Sequence, residues 1–191
     1  MALPRLTLKV TMTLFREQYR IESARKPNWD YTLPGWYFVT ICTLERKPHF
    51  GRVVNAIMNL SAIGERTHAC WKEVPQHHQH VDIDDFVVMP NHMHAIVIIG
   101  GPERLPDLRK REKFKQVAEL NTVRPKANSL GAVVGSFKSA VTRWCAAQQM
   151  EFKWQPRFHD RIIRGKNSLQ AVREYIRDNP ANWCKDTFYV A

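Results

Sequence analysis

The chain has 191 residues, 44% of them hydrophobic and six of them tryptophan, which is enough for one domain with a sizeable core that needs no disulfide or structural metal to fold. Lys and Arg number 29 against 18 Asp and Glu, a net charge of +11, and a chain this basic points to a polyanionic partner, nucleic acid first, because neutralising phosphates releases counterions. No apolar run reaches the length of a membrane span, and the opening MALPRLTLKVTMTLFREQYR is broken by Arg5, Lys9 and Arg16, so neither a membrane span nor a secretory leader is expected.

The first 27 residues carry many charges and little periodicity, and are set apart as an accessory segment, with residues 28–191 as the main domain. YTLPGWYFVTICTL, residues 31–44, leaves a Pro-Gly turn and runs through aromatic and β-branched residues, the pattern of a buried strand. FGRVVNAIMNL, residues 50–60, predicts a short hairpin. From Ser61 to Glu73 the spacing of Ile63, Thr67, Cys70 and Trp71 predicts an amphipathic helix ending near Pro75. PQHHQH follows, and its His77, His78 and His80 are read as a solvated loop rather than as metal ligands. VDIDDFVVMPNHMHAIVIIG, residues 81–100, is the strongest hairpin of the chain, with Asp84 and Asp85 expected to be exposed.

Residues 102–128 are polar and basic, densest in RKREKFK at 109–115, and predict a loop or exposed helix. SLGAVVGSFKSAVTRWCAAQQM, residues 129–150, predicts a helix burying Val133, Val134, Phe137, Val141 and Trp144. FKWQPRFHDRIIRG, residues 152–165, predicts a further strand. NSLQAVREYIRDNPANW, residues 167–183, predicts a last helix that buries Leu169, Val172 and Ile176, opens on an Asn167/Gln170 capping box and stops at Asn179-Pro180. The order β, α, β-β, α, β, α fits an α+β, ferredoxin-like βαββαβ antiparallel sheet with helices on one face and an added C-terminal helix. Cys42, Cys70, Cys145 and Cys184 stand singly with no CxxC pair, as reduced, mostly buried thiols of a cytoplasmic protein would.

Two features carry chemistry. In the second strand of the 81–100 hairpin, His92 and His94 are two apart, so both rings lie on one face and their nitrogens can converge on a metal. In the last helix, Tyr175 and Asn179 are one turn apart on a stripe beside the buried one, where a phenol and an amide could meet the histidines, in the same chain or in a partner's site. Basic side chains suited to a DNA-facing surface are Arg109, Lys110, Arg111, Lys113 and Lys115 in the 109–115 run, and Arg157, Arg161 and Arg164, which alternate with apolar residues.

VMPNHMH with its apolar strand, GWYFVTICT, SLGAVVGSFKSAVTRW, WQPRFHDRII and REYIRDNPANW, in that order, closely resemble the single-tyrosine HUH-type transposases, in particular the REP-associated tyrosine transposases. The resemblance covers roughly residues 28–185. It implies a metal-dependent enzyme, bacterial, cytoplasmic and nucleoid-associated, that cleaves and rejoins hairpin-forming single-stranded DNA with REP-like palindromes, as monomer or homodimer. It further implies Mg²⁺ or Mn²⁺ held by His92 and His94, with Asn179 as a weak third ligand, and Tyr175 as the nucleophile that forms a 5′-phosphotyrosine. Two other readings share parts of this pattern. A non-catalytic RNA-recognition-like domain would carry an RNP motif of the K/R-G-F/Y-G/A-F kind, which the sequence lacks. A metallonuclease that uses water would share the histidines but form no covalent intermediate.

Overall fold

The computed structural model describes residues 29–100 and 129–189, together with two short paired strands, β1 (Leu14–Phe15) and β2 (Tyr19–Arg20). The remaining elements are β3 (Gly35–Cys42), a ribbon of β4 (Gly51–Val54) and β5 (Ile57–Leu60), α1 (Ala62–Lys72), a single turn α2 (Val74–His77), β6 (Val81–Val88), β7 (His92–Ile99), α3 (Leu130–Ala147), β8 (His159–Ile163) and α4 (Lys166–Asp178). The main sheet is antiparallel with strand order β6-β7-β3-β8. Two split β-α-β units interleave in this order, so the fold is the α+β, ferredoxin-like one expected.

Alternation decides what lies on each face. On one face Tyr37, Val39 and Ile41 of β3 and Met93, Ala95, Val97 and Ile99 of β7 form a dry core with Trp71 of α1 and Leu130, Val133, Phe137 and Val141 of α3. On the other, Trp36 and Phe38 of β3, Ile96 of β7, Ile163 of β8 and Val87 of β6 pack against Leu169, Val172 and Ile176 of α4. α1 and α3 therefore share one face, and the added helix covers the opposite one, where His92 and His94 point.

α1 opens with Ser61, whose hydroxyl accepts from the Gly64 amide at 3.1 Å. It passes so close to the ribbon that a Cβ on Gly64 would lie 2.1 Å from the Phe50 carbonyl oxygen. Pro75 does more than end this helix, since it sits in the first turn of α2. The ribbon turns through Asn55 and Ala56 with φ of 51° and 62°, the left-handed pair of a tight hairpin.

The expected strand at 152–165 is shorter, running only from His159 to Ile163. The Lys138 ammonium of α3 donates to the carbonyls of Gln155 and Arg157, and Arg157 has a φ of 66°, so the chain is tied to α3 before it can join the sheet. The Asn167/Gln170 capping box does not form. Asn167 lies inside α4, whose N-cap is Gly165 with a φ of 95°, and the Gln170 amide donates to Glu174 at 2.9 Å. Val133, Val134, Phe137 and Val141 are buried as expected and Trp144 is half-buried. Cys42, Cys70 and Cys145 are buried free thiols and Cys184 is an exposed one.

Candidate metal and tyrosine site

β7 sets His92 and His94 side by side, 0% and 1% exposed, with their Nε2 atoms 3.1 Å apart. Asn91 fixes the first ring. Its amide nitrogen donates to the Phe188 carbonyl at 2.7 Å, so its oxygen faces His92 Nδ1 at 2.9 Å. An amide oxygen only accepts, so Nδ1 carries the proton and the His92 Nε2 lone pair points into the site. His94 Nδ1 meets the Thr40 hydroxyl at 2.8 Å, a group that donates or accepts and so tolerates either tautomer of His94. Burial, with His94 and Arg46 adding to it, takes the His92 pKa down to about 2, and burial takes His94 to about 4, so both rings are neutral, as metal ligation requires.

Tyr175 stands on the α4 flank above His94, 45% exposed, with Oη 3.1 Å from His94 Nε2 and its ring edge-on to Phe38. Burial and the Asp186 carboxylate raise its pKa, opposed by a hydrogen bond from Asn179. Asn179 caps α4 and is buried. Its amide nitrogen donates to Asp186 Oδ2 at 2.9 Å, and its Oδ1 is buried with no partner among the described residues.

Asp186 was not singled out in the sequence. A 3-10 turn at Trp183–Lys185 folds the chain back over the histidines. There Phe188 and Trp183 lie 4.6 and 5.9 Å from the His92 ring, centroid to centroid, and the Asp186 Oδ2 comes within 4.0 Å of His92 Nε2. The Phe188 amide holds its other oxygen at 2.7 Å. His92, His94 and Asp186 offer ligand atoms that all lie within 4.8 Å of one another. Two imidazole nitrogens and a carboxylate make a donor set that could hold a metal ion.

The other candidates fall elsewhere. Arg109, Lys110, Arg111, Lys113 and Lys115 lie outside the described residues. Arg157 is in the loop before β8, Arg161 is on β8 and Arg164 is in the β8–α4 connection, and all three are exposed. His78 meets the Ser136 hydroxyl at 2.6 Å, away from the histidine pair. Asp84 and Asp85 are not free hairpin residues. A register shift between Ile83 and Phe86 turns both toward α4, where Asp84 takes Arg173 at 3.0 and 2.5 Å and Asp85 takes Arg177 at 2.8 Å.

Fold and site together define a ferredoxin-like α+β domain in which a tyrosine-bearing helix crosses the sheet over a buried His-His-Asp group. By sequence the chain belongs to the family of an uncharacterized protein of Haemophilus influenzae, with which it is 34% identical over 170 residues, 88% of this chain and 92% of the relative. No family model matches the chain. Among solved structures it is similar to a REP-associated tyrosine transposase bound to a REP hairpin, with a TM-score of 0.55 and 18% identity over 85% of this chain and 74% of that one. At that identity the likeness establishes a transposase-like fold.

Proposed function

We propose that residues 28–191 form a metal-dependent DNA transposase domain of the single-tyrosine HUH type, which cleaves and rejoins hairpin-forming single-stranded DNA through Tyr175. The observation that carries this reading is the Tyr175 hydroxyl 3.1 Å from His94 Nε2, beside a group that could hold a cation. A packing tyrosine could satisfy its hydroxyl with any acceptor, whereas a nucleophile needs one beside a possible cation site.

His92, His94 and Asp186 would hold Mn²⁺ or Mg²⁺, with the Asn179 oxygen available to it, and the bound ion would draw charge from the scissile phosphate. The side chains do the rest. Asn91 keeps His92 in the ligating tautomer, and Asn179 orients Asp186 while touching the phenol. The phosphate approaches past Tyr175, the exposed side of the site, because Phe188 and Trp183 cover the rings opposite. The Tyr175 oxygen forms an ester with the 5′ phosphate as the bond to the 3′ oxygen breaks, and the phenolic proton ends on the 3′-OH. The ester keeps the energy of the broken bond, so a 3′-OH can later attack it and reseal the strand.

Tyr175→Phe removes one oxygen and should cost about 1 kcal/mol of stability at most. Wild type incubated with end-labelled single-stranded hairpins in Mn²⁺ should give a denaturation-resistant protein–DNA adduct, and the variant none. Cleavage without adduct in both proteins would point to a water-using nuclease, and no cleavage by either to a binding protein.

A further inference from the structure

The sheet face beneath Tyr175 extends beyond the site just described. Antiparallel register places directly opposed residues on one face. His94 is opposite Thr40, and Thr40 is opposite His159 of β8; one pleat further on, Phe38 is opposite Arg161. His159 and Arg161 therefore share the face that carries the histidine pair. They lie on its edge strand, two strand spacings or about 10 Å from β7.

α4 does not cover them. It starts beside Ile163, after a connection of only Arg164 and Gly165. Its later turns are held over the far edge of the sheet, where Arg173 and Arg177 pair with Asp84 and Asp85 of β6. The helix thus crosses the sheet obliquely and leaves a widening gap on the β8 side. At 100° per residue, Tyr175 and Ser168 lie on the flank opposite Arg173 and Arg177, so the phenol faces this gap. Its floor is Phe38, half-buried and in edge contact with Tyr175, and its rim is His159 and Arg161, both exposed.

We propose that this gap seats the nucleotide adjoining the scissile phosphate, with its backbone phosphate held by the Arg161 guanidinium and the His159 imidazole, and its sugar or base lying on Phe38. The occupant is a polyanion because the rim offers a guanidinium and continues into Arg164 and Lys166, both exposed, in a chain of net charge +11. A single strand fits better than a duplex because the half-buried ring can meet only an unstacked nucleotide. The inference rests on Tyr175 marking the scissile position, and it adds the direction in which the strand leaves.

The test measures binding, not cleavage. Full-length Tyr175→Phe protein is titrated in Mn²⁺ with single-stranded hairpin oligonucleotides, each carrying one uncharged methylphosphonate at successive positions around the cleavage site. At one flanking position the neutral linkage should weaken binding about tenfold, and Tyr175→Phe/Arg161→Ala should bind the unmodified strand about tenfold more weakly and show no further loss at that position. Its slope of log affinity against log salt should shrink by about 0.7, one single-strand phosphate contact. His159→Ala should reduce the penalty at the same position, and Arg161→Lys should restore part of it. Equal methylphosphonate penalties with and without Arg161 at every position, or an unchanged affinity in the alanine variant, would overturn the proposal. Failure of the transposase reading looks different: wild type gives no adduct while the Arg161-dependent position persists. Absence of any binding would overturn both.

Discussion

The two histidines differ in freedom although they share a strand. His92 is locked by Asn91, whose amide is itself locked by the Phe188 carbonyl, while His94 has the adaptable Thr40 hydroxyl. Asn91→Ala should therefore lower Mn²⁺ affinity by about 10- to 100-fold without removing a ligand. Calorimetric titration of Mn²⁺ checks this, and an unchanged affinity would remove Asn91 from the site. The same burial predicts an acid-sensitive fold. Free imidazoles titrate at 6.5, whereas those of His92 and His94 are lowered to about 2 and about 4. As the pH falls from about 6.5 to 4, the unfolded chain takes up protons that the folded one refuses, so stability is present above 6.5 and is progressively lost below it. In chelator the Tm should drop across that window, more steeply than in a His92→Gln/His94→Gln variant. Identical slopes for the two proteins would mean that the pair does not set the acid limit.

Between elements, the tyrosine helix is fastened by two ion pairs as well as by its apolar stripe. Burial raises the Asp84 pKa, but the Arg173 hydrogen bond and charge outweigh it and leave it lowered. Asp84 is 12% exposed and Asp85 25%, so Asp84→Asn should cost about 1 kcal/mol and Asp85→Asn less. Urea denaturation measures both, and a larger loss in the Asp85 variant would contradict the assignment. Gly64→Ala is the steric counterpart. The new methyl would meet the Phe50 carbonyl oxygen of the chain entering the ribbon, and a backbone shift of that kind should cost about 1–3 kcal/mol. What the sequence showed at this scale follows from periodicity. The His92/His94 face and the Leu169, Val172, Ile176 stripe are visible because a strand repeats every two residues and a helix every 3.6. Asp84 and Asp85 were misread because a bulge breaks the alternation there. Asp186 was invisible because an irregular turn has no period, and only the packing of Trp183 and Phe188 on His92 puts it within reach.

At the scale of the whole molecule, a basic chain and a one-sided site should make binding electrostatic and chemistry local. His94→Ala should abolish the covalent adduct while hairpin affinity stays within about threefold of wild type, because phosphate contacts supply most of the binding. Affinity should fall linearly on a log–log plot against salt, and a flat plot would mean that the charge serves some other purpose. The order of the sheet was legible because every strand and helix of the βαββαβ pattern has its own apolar signature. The face chosen by α4 was not, because the sequence states how much apolar surface the helix hides but not against which side of the sheet.

The passage from β8 to α4 has a consequence for mixed populations. Only Arg164 and Gly165 separate the edge strand from the helix, and within one chain this passage brings the Tyr175 hydroxyl to 3.1 Å from His94 Nε2. On the proposed function, each molecule would then complete its own site, with phenol and imidazoles from one chain. Two damaged proteins would then be unable to repair each other. An equimolar mixture of His94→Ala and Tyr175→Phe should show no more adduct than either alone, at any concentration. Recovery of activity on mixing would require the helices to have changed owners.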